Sequence, residues 1–206
     1  MNSYNKISSL WVISLVVLLS GCVTTGTTFD RVKSQEYQTG VTAKEQVLAD
    51  MGKPRREQTF TTKKDLAGKD LANPLVIEEL YYYFEDRSAP AISSEISPSR
   101  SAWFHFSGGK LLAYATLSSF QSDSTDFDPT QLKKIEKGKS TESDVLKLFG
   151  LPSGRSVYPA AKDVGGYGLN YEVFIFDKNT RKGTLKRLSV FFNASKVVSD
   201  FELSIK

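Results

Sequence analysis

The feature that most constrains the fold of this chain is an internal repeat: shifted by 98 residues, the sequence falls on its own punctuation. Phe29-Asp30 meets Phe127-Asp128, Gly40 meets Gly138, and Thr42 meets Ser140. Val47-Leu48 meets Val145-Leu146, Gly52 meets Gly150, and Pro54 meets Pro152, with no gap over 26 positions. The matched residues are those that start and stop helices. Asp30 and Asp128 suit an N-cap, the second followed by Pro129 at the first helical position, where its missing N–H costs nothing. Gly40 and Gly138 suit the left-handed residue that ends a first helix. Thr42 and Ser140 are then expected to cap a second helix, Thr42 forming a capping box with Glu45. That helix carries Val47, Leu48 and Met51 in one copy and Val145, Leu146 and Phe149 in the other, an apolar stripe at helical spacing. Gly52 and Gly150 end it, and Pro54 and Pro152 prevent its continuation.

Alternating apolar runs follow each helical motif. In the first copy they predict strands near 55–62, 77–84, 101–106 and 111–120; in the second, near 154–158, 171–176, 184–192 and 196–205. Residues 104–111 align with 190–197 as a hairpin with small and polar turn residues, whereas 63–73, 85–100 and 159–170 read as loops. The expected architecture is α+β: two tandem units, residues 29–120 and 127–206, each a helix-turn-helix hairpin packed on a small antiparallel β-sheet. The polar stretch 121–126 is the linker between them.

The N-terminal segment sets the expected compartment. Lys6 precedes an apolar run from Leu10 to Leu19, too short for a membrane span, which needs about 20 such residues. Leu19-Ser20-Gly21-Cys22 follows directly and resembles the lipobox of bacterial lipoproteins. The resemblance implies a signal peptide over 1–21, a diacylglycerol thioether on Cys22, and a lipid anchor to the membrane. The chemistry requires a thiol at that position, because the thiolate is the nucleophile. Residues 22–28 then read as the lipidated cysteine and a flexible tether. Val23 rather than aspartate after the cysteine points to the outer membrane, facing the periplasm. Cys22 is the only cysteine, so the exported part must hold together by its core without an intrachain disulfide.

With the anchor in place, the repeated motif resembles a known family. Gly40-Val41-Thr42-Ala43-Lys44-Glu45-Gln46-Val47, closing on Met51-Gly52-Lys53-Pro54, is similar to the helical signature of the SmpA/OmlA (BamE-like) outer-membrane lipoprotein domain, and Gly138 through Pro152 is a second copy. The family's layout is shared by each half of the β-lactamase inhibitory proteins, themselves tandem duplications. The resemblance implies a non-enzymatic envelope protein that binds other proteins, in outer-membrane protein assembly or maintenance. Two copies in one chain depart from the single-domain pattern, and fold similarity alone does not fix function.

The formal charge of +4 comes from interleaved basic and acidic residues, and the helical motif exposes mixed signs (Lys44, Asp50, Glu142, Lys147), so no nucleic-acid partner is read. Catalytic groups are sparse. His105 is the sole histidine, which excludes a histidine-cluster metal site, and a hydrolase would have to depend on it alone. The Gly-rich stretch Asp163–Gly168 leads into a strand rather than a helix N-terminus, so it is not a phosphate cradle. No cofactor or metal is expected.

A binding face is the better expectation. Strand alternation assigns Leu80, Tyr82, Phe84, Phe104, Phe106, Leu111, Ala113 and Ala115 to the core. Tyr81, Tyr83, Trp103, His105 and Tyr114 then point to the other face, rich in the residue types that anchor interfaces. The matching face of the second copy carries Phe191, Asp200 and Glu202 and reads as more acidic. An envelope protein partner is the first reading of this face. A periplasmic inhibitor or ligand-binding role through the aromatic sheet is the alternative, and burial of the aromatics between the copies would leave them structural.

Overall fold

The computed structural model describes residues 23–30, 36–123, 126–177 and 179–206. The signal peptide, Cys22 and most of the helix expected after Asp30 lie outside the described residues. Within them the order is β1 (Thr24–Gly26), α1 (Lys44–Met51), β2 (Arg56–Lys64), β3 (Asp70–Asp86), β4 (Ser99–Ser107) and β5 (Lys110–Ser118). Two 3-10 helices follow, Gln121–Asp123 and Pro129–Lys134. Then come α2 (Glu142–Phe149), β6 (Gly154–Val157), β7 (Tyr167–Asp177), β8 (Lys182–Phe192) and β9 (Val198–Ile205).

These strands form one nine-stranded sheet, β1-β3-β4-β5-β6-β7-β8-β9 with β2 also on β3, antiparallel in every pair. The expected architecture of two α+β units, each a helical hairpin on its own sheet, is therefore wrong. Two physical reasons account for the difference. The helices are short: α1 and α2 have eight residues each, and the segment before α2 is a six-residue 3-10 helix, so the chain is mostly sheet. And the first strand of the second half pairs with the last of the first, Ala113–Ser156, Tyr114–Arg155 and Ala115–Gly154, so the two sheets become one. At that seam Gly154 lets the backbones approach: a Cβ there would lie 2.3 Å from the Tyr114 carbonyl oxygen.

Within the single sheet the repeat is visible bond by bond. Gly40 and Gly138 N–H donate to the Leu111 and Val198 carbonyls; Leu111 and Val198 N–H donate back to Thr42 and Ser140. Each half has its own core under its helix. One gathers Val47, Met51, Leu80, Tyr82, Phe104 and Leu111; the other gathers Val145, Phe149, Leu169, Tyr171, Val190 and Val198. Val47 and Val145 are fully buried, each contributing roughly 1.5–3 kcal/mol of apolar burial. Tyr82 and Tyr171 donate to the carbonyls of Gly52 and Gly150, tying each sheet to the end of its helix at 3.0 and 3.1 Å.

The capping chemistry differs from expectation. Thr42 and Ser140 hydroxyls accept from Gln38 and Glu136 N–H, four residues back, and so fix the preceding turn instead of capping the helix. The N-caps are one residue later. Thr141 forms a capping box with Asp144, whereas Ala43 offers no side-chain cap. Asp128 does cap its 3-10 helix, accepting from Thr130 N–H, with Pro129 next.

One ion pair is reversed between the halves. Lys44 opens α1 and binds Glu57 at 2.6 Å and Glu78; 98 residues on, Glu142 opens α2 and binds Arg155 at 2.6 Å, with Tyr167 donating to it. The contact is kept while its polarity is inverted.

Three segments read differently from the sequence. The loop expected over 63–73 is the end of a long β2–β3 arm; Pro74 is tolerated because that part of β3 has β2 as its only neighbour. Residues 24–26, read as tether, pair with Phe84–Asp86 at the sheet edge. The start of the expected linker is pinned, Asp123 holding the Arg100 guanidinium at two oxygens, both at 2.7 Å.

Candidate functional site

Both cores lie on the helix-bearing face, which leaves the opposite face of the sheet for interaction. Its geometry follows from two rows of register-matched residues running across strands. One passes through Gln58, Glu79, His105, Ala113, Ser156, Gly168, Phe191 and Asp200; the other through Arg56, Tyr81, Trp103, Ala115, Gly154, Asn170, Ser189 and Glu202. Small residues occupy the middle of both rows, where the halves join, and larger ones the ends. The result is a hollow spanning both copies.

Of the expected site residues, Tyr81, Tyr83, Trp103 and His105 stand on this face, each partly buried. Tyr81 packs on Trp103 with ring centroids 5.2 Å apart, and its hydroxyl meets Ser101 Oγ. The Arg56 guanidinium lies 5.2 Å from the Tyr81 ring centre and that of Arg55 lies 5.0 Å from Tyr83, cation–π distances. Tyr83 donates to Glu85, which also holds Arg87. Burial, then the bond to Glu85, raises the Tyr83 hydroxyl above its usual pKa.

Tyr114 is not on this face. It is 2 % exposed and packs with Phe104 in the first core, which Ala113 and Ala115 do not join. The cause is a β-bulge: His105 pairs with Ala113 but Phe106 pairs with Leu111, so Leu112 is the extra residue and the alternation reverses beyond it. The second half has a bulge at the same place, with Ser199 extra between Phe191–Asp200 and Phe192–Val198. Asp200 and Glu202 do lie on the second half's face, but it is not acidic in effect. Lys162 pairs with both carboxylates and Lys137 with Asp200, and these lysines hold the Asp200 carboxyl well below its ordinary range.

His105 joins a carboxylate that sequence reasoning left out. Glu79, 7 % exposed, accepts from Arg56 at 2.9 Å and Gln58 at 3.0 Å, and meets His105 Nε2 at 2.9 Å. Burial acts to raise its pKa, but the bonds to His105 and Arg56 outweigh that and the carboxyl sits below its usual value. With its charge shared among three donors, Glu79 is a structural acceptor that orients the imidazole. The signal for it was present: Glu79 falls on the alternation of Tyr81 and Tyr83.

The β2–β3 arm overhangs the hollow. Leu66 N–H donates to the Pro159 carbonyl at 2.9 Å, bridging first copy to second, and Phe60 meets His105 edge-on at 6.0 Å. Between arm and sheet is a pocket of about 470 Å³, lined by Phe60, Leu66, Trp103, Ala113, Asn170 and Phe191 among others. A second hollow, beside β1, is bounded by Thr25, Arg55, Tyr81, Tyr83, Glu85 and Arg87. Compared with protein families, characterised proteins and solved structures, the chain finds no match.

Proposed function

We propose that this chain is an outer-membrane lipoprotein, anchored through Cys22 and facing the periplasm, that acts as a non-catalytic protein-binding module in envelope assembly or maintenance. The observation that carries the reading is the Tyr81–Trp103–Tyr83 group with Arg55 and Arg56 against its rings, on the face away from both helices. Tyr, Trp and Arg are the residues that dominate binding energy at interfaces: Tyr and Trp offer large area at low rotamer cost, and Arg a planar cation that stacks on rings and donates several hydrogen bonds. The lipobox and the repeated SmpA/OmlA-like motif support the compartment and the class. β1 begins two residues after Cys22 and pairs beside Tyr83, so a lipid on Cys22 would hold this group close to the membrane surface.

Capture from detergent-solubilised membranes, with in-cell crosslinking, tests the reading. The wild type should recover a protein partner, and Tyr83→Ala with Trp103→Ala should lose it. Recovery of the same proteins by the double variant would refute the assignment of the face. Cys22→Ser should move the protein from the membrane fraction to the soluble one; sedimentation with membranes would refute the anchor.

The pocket under the arm favours a second reading, a ligand-binding protein that uses the aromatic sheet.

A further inference from the structure

We propose that the pocket between the β2–β3 arm and the shared sheet binds a slender apolar ligand, a single acyl chain. The inference deepens the ligand-binding reading and stands apart from partner capture at Tyr83.

Size and access set the first limit. A volume of about 470 Å³ is that of a small-molecule site, and the arm's bridge from Leu66 to Pro159 crosses over it. A folded partner cannot enter beneath such a strap, whereas a chain one methylene wide can. The lining sets the second limit. Phe60 and Leu66 come from the arm, Ala113 and Ala115 from the floor, and Trp103 and Phe191 from the two halves of the sheet.

The polar side chains around that lining set the third, because several of them are already engaged with partners. The Ser189 hydroxyl donates to Asn170 Oδ1 at 2.8 Å, His105 meets Glu79, and Glu202 meets Lys162 at 2.5 Å. A sugar or an extended peptide would give up its hydrogen bonds to water and find few replacements, which disfavours both. An acyl chain has no such groups to satisfy. The arm's charged lining residues, Lys64 and Asp65, are of opposite sign and select no particular headgroup. The chain could therefore come from a free fatty acid or from a lysophospholipid.

Residues 23–206 contain every described strand and both cores, and Trp103 is their only tryptophan, so its emission reports on the pocket. Laurate and lauroyl lysophosphatidylglycerol, each titrated below its micelle concentration, should shift that emission saturably. Binding of laurate alone assigns the fatty acid as source, and tighter binding of the lysolipid assigns the phospholipid. Ala115→Leu, which fills the floor, should weaken binding at least tenfold with the far-ultraviolet circular dichroism unchanged. Leu66→Lys, at an exposed arm position, should weaken it as well and provides the test if the floor variant misfolds. Tyr83→Ala should leave lipid binding intact, which separates this site from the partner face. Saturation by neither lipid, or unchanged affinity in Leu66→Lys or in a folded Ala115→Leu, would overturn the proposal.

Discussion

Replacing Gly154 by alanine tests whether the seam between the halves holds the molecule together. The added Cβ would sit 2.3 Å from the Tyr114 carbonyl oxygen, 3.0 Å from Ala115 Cα and 3.2 Å from the Tyr114 carbonyl carbon. All three are backbone atoms of β5, so no side chain can swing aside to make room. β6 must move away from β5, in a seam of only three residue pairs. Overpacking of this kind costs about 1–3 kcal/mol, and a ladder hydrogen bond lost with it about 0.5–1.5 kcal/mol more. Alanine returns about 0.4–1 kcal/mol by restricting the unfolded chain, which leaves a net loss of roughly 0.5–4 kcal/mol. For a chain of this size each kcal/mol moves Tm by about 2–4 °C, so a fall on the order of 1–16 °C is expected. Trp103 lies in the same cross-strand row as Gly154, two strands away, and reports locally, while circular dichroism reports on both halves. In the wild type the two signals should fall together on heating. In Gly154→Ala the seam is weakened, and the Trp103 transition should separate from the global one. A variant that melts within a degree of the wild type with coincident signals would refute the reasoning.

Other outcomes follow from the same contacts. Burial pushes the Tyr82 hydroxyl up to about 12, against about 10 in the unfolded chain, so its stabilisation is complete below pH 10 and is lost as pH rises toward 12. Tyr82→Phe should cost about 1 kcal/mol at neutral pH, from the lost bond to Gly52, and make the alkaline decline shallower; equal slopes in urea titrations at rising pH would count against this. The reversed ion pair predicts that Glu142→Lys and Arg155→Glu each destabilise, and that the double variant recovers about 1 kcal/mol of their summed loss, a modest figure because both side chains are about 30 % exposed. A double-mutant cycle showing simple additivity would reject the exchange. Ala43→Ser should stabilise by roughly 0.5–1 kcal/mol by supplying the cap that α1 lacks, with Gln46 at the third helical position to complete a box; an unchanged denaturation midpoint would show that the cap does not form.

The sequence by itself determined what rests on neighbours along the chain. Glycine and proline at 98-residue spacing marked the ends of both short helices, Asp128 and Pro129 opened their 3-10 turn, and alternating apolar residues located seven of the eight longer strands to within a few residues, the start of β3 being missed by seven. Those signals are local because caps, turns and pleats are closed by residues a few positions apart. Tertiary structure decided the rest. Whether two sheets stay separate or fuse depends on β5 meeting β6, across some 40 residues, and on Gly154 having no side chain to prevent it. The bulge at Leu112 exists only in the pairing with β4, yet it sends Tyr114 into the core and Ala113 and Ala115 to the floor of the hollow. Glu79 stands far from its partners along the chain, and only β2 and β4 bring Arg56, Gln58 and His105 to it. A one-residue slip reverses the face of every side chain beyond it, and such a slip is fixed by the partner strand, which is why the aromatic face was legible in kind and only partly in membership.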